Sequence, residues 1–349
     1  MTAALRVISP GLMTTLQDLG RPGSQSLGIP VSGALDPISL RAANLIVGNP
    51  AGLAALEIAY QGPTLAVEAD GVRVALAGTN AMVEVLGEDG GARRIPALHS
   101  VRLQRGERLR IGALGGSAVT YLAVEGGFAV EPILGSRSTY TRAAIGGFAG
   151  RALAAGDVLP LGNGNAAERE ERMLPALDLA APARFRIVLG PQDDYFTAKG
   201  IATLLEATYT VSPATDRMGM RLDGPPLEHA KGFNIVSDGI APGAIQVPGN
   251  GLPIVLLADR QTTGGYPKVA TVISADLPAL GRLTPGAKVA FTAVGIDAAE
   301  EARRRMADYL AELEASIAPA RQERIIDAAR LMASNLVSGM VDAREASTD

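Results

Sequence analysis

The sequence predicts a mainly β protein that consists of two β-barrel domains followed by C-terminal helices. The 349 residues include 41 glycines and 22 prolines but only 4% aromatic residues, a composition typical of short strands joined by tight turns. From residue 55 to residue 111, apolar segments alternate with Gly, Asp and Pro. Similar segments recur in the same order in the two halves of the chain, which favours two related barrels.

The first elements are a strand, a polar loop and one helix. Residues 5–8 are apolar and predict a strand, whereas TTLQDLGRPG (residues 14–23) predicts a loop because it is polar and contains glycine. Asp36 can cap a helix that begins at Pro37 and ends at Gly48. We therefore interpret Asp36 as a helix cap rather than a catalytic acid.

The rest of the first half predicts strands that would complete a barrel domain over residues 1–165. Each predicted strand is a short apolar or alternating segment bounded by turn residues. The segments are residues 56–59, 64–68, 72–77, 81–86, 100–103, 107–111 and 119–124.

The second half begins after a linker over residues 162–183, which carries a charge run and two prolines. The segment MRLDGPPL (residues 220–227) is similar to EIAYQGPTL (residues 57–65) of the first half. This repeat favours a second barrel domain over residues 184–296, whose predicted strands are residues 185–189, 253–258 and 269–274.

Beyond the second barrel the pattern becomes helical, so we assign residues 297–349 to a C-terminal helical extension. Residues 298–317 are rich in Ala, Glu, Arg and Leu and predict one helix. A second helix is predicted up to about residue 341. Its apolar stripe is typical of a helix that packs on the protein body or on another protein chain.

Composition limits the function classes. The net charge of −4 and the pI of 5.4 provide no basic surface for nucleic acid or an anionic membrane. The chain has no cysteine and two histidines, so disulfides, thiolate metal sites and a serine hydrolase triad are not expected, and we predict no metal site. The sequence lacks a leader pattern and a long apolar segment, so we expect a cytoplasmic protein with small-molecule or protein partners.

The most unusual segment is DRQTTGGYPK (residues 259–268), which lies between two apolar strands. Arg260 offers a planar fork suited to a carboxylate, Gln261 can pair with an amide or lactam, and Lys268 adds a point charge. A solvated hairpin loop is the alternative interpretation. The candidate substrate-binding residues of this segment are Arg260, Gln261, Thr262, Thr263 and Tyr266, and Lys268 is a candidate catalytic residue.

Three further places offer candidate residues. Asp216 and Arg217 stand side by side before a glycine and are candidate catalytic residues, with a structural ion pair as the alternative. Gln246 lies at a predicted strand end and is a candidate ligand contact. In the polar loop of the first half, the candidate substrate-binding residues are Gln17, Asp18 and Arg21.

Several segments together resemble one protein family. They are GLMTTLQDLGRPG (residues 11–23), GIPVSGALDPISLRAANLIVGN (28–49), LEIAYQGPTL (56–65), SPATDRMGMRLDGPPL (212–227) and SDGIAPGAIQVPGNGLPIVLLADRQTTGGYPKVATV (237–272). The family is that of the biotin-dependent carboxyltransferases and the second allophanate hydrolase subunit. It includes the 5-oxoprolinase C subunit and KipA-like proteins.

The resemblance implies two cyclophilin-like β-barrels with a substrate pocket between or beside them. For 5-oxoprolinase members it implies ATP-dependent opening of the 5-oxoproline lactam to glutamate, with a KipI-like B subunit and a LamB/YcsF-like A subunit as partners. The isolated chain is expected to be inactive. ATP enters only through this resemblance, because the sequence contains no phosphate-binding G-x-x-x-x-G-K-[ST] motif.

Two alternatives stay open at this point. The chain could be a carboxyltransferase component that acts on urea or a similar amide. Biotin would then have to arrive on a separate carrier protein, because the chain has no Met-Lys-Met biotinylation segment. The other alternative is a non-enzymatic, KipA-like regulator that binds a KipI-like partner.

Overall fold

The computed structural model describes residues 3–320 and confirms a mainly β fold with few helices. The elements of the first half are β1 (Ala4–Ser9), β2 (Met13–Gln17), α1 (Pro37–Val47), β3 (Ala55–Ala59), β4 (Thr64–Val67), β5 (Gly71–Ala77), β6 (Val83–Leu86), β7 (Ala92–Ile95), β8 (Ser100–Gln104), β9 (Arg108–Ile111), β10 (Val119–Val124) and β11 (Val158–Pro160). One-turn 3₁₀ helices occur at Gln25–Leu27 and Thr141–Ala143.

These strands form two sheets around a shared core. One sheet has the order β11-β1-β4-β9-β6-β7 and the other has the order β2-β3-β10-β5-β8. The core between them includes Leu5, Leu56, Leu65 and Val74, all of which are buried. Because side chains alternate between the two faces of a strand, each sheet contributes one apolar face to this core.

Helix α1 begins and ends where the sequence predicts. The Asp36 carboxylate accepts hydrogen bonds from the amides of Ile38 and Ser39, at 3.1 and 3.3 Å, and Gly48 ends the helix in the left-handed conformation. The helix packs on the outer face of the five-stranded sheet, against a layer that includes Tyr121. Asp36 also accepts from Arg282 of the second half at 2.9 Å, so this cap lies where the two halves of the chain meet.

The second half forms a closed barrel of seven strands. Its elements are β12 (Arg172–Met173), β13 (Phe185–Leu189), α2 (Ala198–Glu206), β14 (Thr208–Val211), β15 (Gly219–Asp223), β16 (Asp238–Gly239), β17 (Ala244–Gln246), β18 (Ile254–Leu256), β19 (Thr263–Gly264), β20 (Lys268–Val272), α3 (Leu277–Gly281), β21 (Lys288–Ala293), α4 (Ile296–Ala315) and β22 (Ala318–Pro319), with a 3₁₀ helix at Asp193–Tyr195. The barrel order is β13-β20-β17-β18-β15-β14-β21, and β16 pairs with β19 outside it.

Two differences from the prediction concern local structure. Residues 14–17 lie in strand β2 instead of a loop, because the β-branched Thr14 and Thr15 fit a buried strand paired with β3. Helix α2 was not predicted, although Thr197 caps it by accepting a hydrogen bond from Gly200 N at 3.0 Å. The prediction of a helix over residues 298–317 is confirmed by α4.

Some predictions are not tested by the structure of residues 3–320. The second C-terminal helix and its apolar stripe lie outside the described residues, and the domain boundaries stay predictions. None of the helices within residues 3–320 is long and apolar enough to cross a membrane.

Candidate functional site

Polar side chains converge at one end of the second barrel, where β17 ends and β20 begins. Gln246 and Lys268 are direct neighbours in the β17–β20 ladder, and both side chains are buried. Gln261 Nε2 donates to Gln246 Oε1 at 3.1 Å, and Lys268 Nζ donates to Asp238 Oδ2 at 2.7 Å. The structure therefore brings together three of the predicted site residues, Gln246, Gln261 and Lys268. We call these three residues and Arg260 the barrel-end site.

Arg260 contributes a buried positive charge to this site. Its side chain is 2% exposed, Nε donates to the carbonyl of Ile240 at 3.1 Å, and Nη1 donates to the carbonyl of Leu257 at 3.3 Å. Within residues 3–320, it forms no ion pair with a carboxylate. Burial lowers the pKa of Arg260, as expected for a cation that lacks a counter-charge.

The geometry changes how Arg260 can be used. The sequence suggests a free planar fork for a carboxylate, but two of the three guanidinium nitrogens already donate to backbone carbonyls. These bonds occupy two of the five N–H donors, including the Nε side of the fork, so the donors left for a ligand are on Nη1 and Nη2. Its charge can still attract a single negatively polarised oxygen through Nη2.

Gln261 contributes a buried acceptor. Its Oε1 is buried and has no hydrogen-bond partner among the described residues. A buried polar atom without a partner costs on the order of 1–3 kcal/mol, so such atoms are rare and commonly mark a bound water or ligand. A ligand N–H group that donated to Gln261 Oε1 would remove this cost.

The remaining residues of the 259–268 segment act mainly through their backbone. The carbonyl of Thr262 accepts from Ile240 N at 3.0 Å, and Thr263 lies in β19 with an exposed side chain. Tyr266 is exposed, and its carbonyl accepts weakly from Gln246 Nε2 at 3.5 Å. Their assignment as substrate contacts stays a prediction.

Arg217 lies in a different place, at the contact between the two halves of the chain. It forms ion pairs with Glu57 of the first half and with Asp259, which accepts from Arg217 Nε at 2.8 Å, and it also donates to the carbonyl of Gly33. Burial lowers its pKa, but the charges of Glu57 and Asp259 more than offset this effect, so the pKa is raised overall. Arg217 is therefore fully engaged by the protein.

Asp216 is not the partner of Arg217. Its side chain is exposed, it pairs with Arg142 at 3.0 Å, and it accepts from the amides of Met218 and Gly219 at 2.8 and 3.1 Å. The two adjacent residues thus point to different surroundings. A joint acid–base role for them gains no support from this geometry, and the structural alternative fits both side chains.

A cavity of about 310 Å³ lies beside Arg217, between the two halves. Its walls are mostly apolar, with Glu57, Asp216 and Arg217 as charged groups. The other lining residues are Leu12, Met13, Thr15, Leu35, Ala59, Tyr60, Ala118, Val119, Thr215, Asp216, Met220, Leu257, Gly281 and Leu283. The volume suits a small molecule, but Glu57 and Arg217 already bind each other and Asp216 binds Arg142.

Gln17, Asp18 and Arg21 form a third group, in the first half. Asp18 organises a loop, because it accepts from Gly20 N, Ser136 Oγ and Arg137 N at 2.6 to 2.8 Å. Gln17 lies in β2 instead of the predicted loop, and Asp18 and Arg21 follow it. The charge of Asp259 acts on Arg21, so this group lies near the start of the 259–268 segment. Among the described residues, no hydrogen bond or ion pair joins it to the barrel-end site.

Arg21 and Gln17 are both buried. Arg21 donates to the carbonyl of Ser138, while its Nη1 and the Oε1 of Gln17 have no partner among the described residues. Burial lowers the pKa of Arg21, although Asp18 and Asp259 act in the opposite direction. Their role as ligand contacts stays a prediction.

Two residues that complete the barrel-end site were not assigned a role from the sequence. Asp238 binds Lys268, and Gln192 donates to Asp238 Oδ2 at 3.3 Å while its Oε1 accepts from Lys268 N at 3.1 Å. A signal was available, because a buried lysine requires a counter-charge and Asp238 stands in a polar turn before a strand. No local pattern says which carboxylate meets the lysine.

Comparisons with known proteins give one consistent family. Residues 27–293 match the family described as carboxyltransferase domain, subdomain A and B. The chain is 36% identical to the 5-oxoprolinase C subunit of Escherichia coli over 312 residues, which is 88% of this chain and 97% of that protein. It is also 36% identical to the 5-oxoprolinase C subunit of Haemophilus influenzae, covering 86% and 94% of the two chains.

More distant or longer relatives share the fold. Urea amidolyase of Saccharomyces cerevisiae is 31% identical over 82% of this chain but only 16% of its own length. The solved structure of TTHA0988 superposes with a TM-score of 0.73 at 39% identity, and the match covers 83% of this chain and 55% of that protein. The Kluyveromyces lactis urea amidolyase structure gives 0.79 at 28% identity, over 89% and 20% of the two chains.

Proposed function

This chain belongs to the family of the carboxyltransferase domain, subdomains A and B, and from that premise we propose that it is the C-type subunit of an ATP-dependent 5-oxoprolinase. The proposal favours 5-oxoprolinase because the chain covers 97% of the E. coli C subunit but 16% of the yeast urea amidolyase. The partners are then a KipI-like B subunit and a LamB/YcsF-like A subunit, and the complex is cytoplasmic.

One observation in the structure supports this choice of substrate. Arg260 and Gln261, adjacent in the chain, present a buried positive charge without a carboxylate and a buried acceptor without a donor among the described residues. A lactam offers the complement, with one N–H donor and one polarised carbonyl oxygen. The proposal therefore places the lactam of 5-oxoproline at these two residues.

Each residue then has a specific task. Gln261 Oε1 accepts the lactam N–H, and Gln246, which holds the Gln261 amide at 3.1 Å, fixes its orientation. Arg260 Nη2 faces the lactam oxygen and stabilises negative charge that develops there during ring opening. Lys268 attracts the carboxylate of the substrate.

Residues 3–320 contain no identifiable ATP site. The sequence has no phosphate-binding glycine loop, and Arg217 is held by Glu57 and Asp259. The proposal therefore assigns ATP to the assembled enzyme and gives the residues of this chain only the tasks of binding and orienting 5-oxoproline.

The second candidate function is a carboxyltransferase component that acts on urea or a similar amide, as the similarity to urea amidolyases suggests. An amide substrate would use the same Gln261 acceptor. This activity would depend on a biotinylated carrier protein, whereas the 5-oxoprolinase activity would not.

The test is release of glutamate from 5-oxoproline and ATP. The chain is assayed alone, with each proposed partner protein, and with both. The proposal predicts ATP-dependent release only in the complete mixture, without biotin. No release from the complete mixture, together with transfer of a carboxyl group to urea when a carrier bearing carboxybiotin is added, would support the second function instead.

A further inference from the structure

Residues 232–240, which we call the strap, cross the barrel-end site from outside. The strap is exposed over most of its length, and Val236 in its middle is 92% exposed. It is attached to the 262–265 loop by the β16–β19 pairing and by the hydrogen bond from Ile235 N to Gly265 O at 2.9 Å. The barrel strands do not include it.

The strap supplies acceptors to both cations of the site. Lys268 Nζ donates to Asp238 Oδ2 at 2.7 Å and to the carbonyl of Gly239 at 3.1 Å. Arg260 Nε donates to the carbonyl of Ile240 at 3.1 Å. Three consecutive strap residues thus accept hydrogen bonds from Lys268 and Arg260, the two cations that bind the substrate in the proposed function.

From this arrangement we infer that Asp238 is an internal carboxylate that the substrate carboxylate replaces on Lys268, so that the strap is a gate over the barrel-end site. This inference rests on the proposed function and adds a residue that controls substrate affinity. The exchange breaks one carboxylate–ammonium contact and forms another. No covalent bond changes.

The two partners of this ion pair are unequally exposed, which sets the direction of the exchange. The side chain of Lys268 is 3% exposed, whereas that of Asp238 is 53% exposed. A buried ammonium is costly without a counter-charge, whereas an exposed carboxylate can return to water at little cost. Asp238 can therefore leave when another carboxylate arrives, and Lys268 cannot.

Asp238 is charged under ordinary conditions. The hydrogen bond from Lys268 holds its pKa below the usual value of 3.8, and Gly239 N contributes in the same direction. At neutral pH the substrate therefore competes with a full negative charge. Replacing Asp238 with a neutral residue removes this competing carboxylate and keeps Lys268.

The experiment compares Asp238→Asn with wild type in the assembled three-component enzyme. Asp238→Asn is expected to lower KM for 5-oxoproline by about twofold to fivefold, the range expected from loss of one partly exposed ion pair, with kcat within about twofold. Asp238→Glu restores the charge and should return KM to within about twofold of wild type.

The matched control is Asp194→Asn. It removes the exposed pair between Asp194 and Lys231, whose side chains are 60% and 55% exposed, on the same barrel. KM should stay within about twofold of wild type. If Asp238→Asn leaves KM unchanged or raises it while wild type releases glutamate, the gate is wrong and the proposed function stands. If wild type with both partners releases none, the proposed function itself fails.

A second measurement does not depend on turnover. Thermal unfolding of the full chain is followed with increasing 5-oxoproline, and binding raises the midpoint by mass action. At each ligand concentration, the midpoint of Asp238→Asn should rise further above its own ligand-free value than the midpoint of wild type does. An equal or smaller rise would contradict the gate, and a change in the midpoint without ligand reports folding separately.

Discussion

Two buried arginines in different parts of the molecule have opposite surroundings. Arg73, in the first half, is fully buried and binds Glu125 and Glu171 at 2.6 and 3.0 Å. Arg260, at the end of the second barrel, is almost as buried but has no carboxylate partner within the described residues. Burial lowers the pKa of both, yet the two glutamates more than offset this for Arg73, whose pKa is raised overall.

The difference distinguishes a charge that stabilises the fold from one that is available to a ligand. A buried cation is expensive unless it is paired, so natural proteins seldom leave one uncompensated without a functional reason. Arg73 satisfies this requirement within the chain. Arg260 does not within the described residues, where the neighbouring Gln261 also carries an unpaired acceptor.

The largest effect is expected from Arg260→Gln, which removes the uncompensated charge but keeps an amide donor. In the assembled enzyme kcat/KM for 5-oxoproline should fall by about 100-fold or more, as for loss of a group that stabilises developing charge. The free energy of unfolding should change by no more than about 1 kcal/mol. Steady-state kinetics and urea unfolding measure the two effects. A loss of stability without a loss of activity would show that Arg260 stabilises the fold and does not act on the substrate.

The same substitution at the other arginine, Arg73→Gln, should have the opposite profile. It leaves Glu171 without its cation and removes one of the two cations of Glu125, which also pairs with Arg169 at 3.3 Å. Both glutamates are partly buried. The free energy of unfolding should fall by about 2–3 kcal/mol, less than for a fully buried pair because both carboxylates reach some water. Urea unfolding checks this value. The kcat of the folded enzyme should be unchanged, and a large drop in kcat would show that Arg73 does more than stabilise the fold.

A smaller effect is expected from Gln261→Met, which removes the unpaired acceptor while keeping the side-chain length. KM should rise by about tenfold, the cost of one lost hydrogen bond to the substrate. Met also removes the Nε2 donor to Gln246, which offsets the gain from removing the unpaired acceptor, so the free energy of unfolding should change by no more than about 1 kcal/mol. Kinetics and thermal unfolding provide the two measurements. An unchanged KM would mean that Gln261 Oε1 does not meet the lactam N–H.

The smallest effect concerns the pH dependence of stability at Asp238. Its folded pKa lies below 3.8, so the pair with Lys268 stabilises the protein above that pH and loses its contribution as pH falls through the lowered pKa. Urea unfolding of wild type and Asp238→Asn should therefore differ near pH 6 and converge as the pH falls through the lowered pKa. A constant difference across this range would contradict the ion pair.

Local signals were sufficient to predict much of the fold. Asp36, Pro37 and Gly48 fix the limits of α1, and about half of the strands within residues 3–320 coincide with segments predicted as strands. Strand β2 was missed because its threonines were interpreted as loop polarity, although β-branched residues favour strands. Helix α2 was missed because it is short.

The site was only partly predictable because its contacts join distant residues. The 259–268 segment was identified from its polar composition, and Gln246, Gln261 and Lys268 do meet. However, the partners of Arg217 lie 160 and 42 positions away in the sequence, at Glu57 and Asp259. Its engagement by the protein is therefore a property of the fold and not of the local motif.

The central claim is that the uncompensated groups at the end of the second barrel bind the substrate. The most direct measurement is a crystal structure of the chain with its partner proteins and 5-oxoproline. The account predicts the lactam N–H on Gln261 Oε1, the lactam oxygen at Arg260 and the carboxylate on Lys268 in place of Asp238. A molecule bound instead in the cavity beside Glu57 and Arg217, with Asp238 still on Lys268, would contradict it.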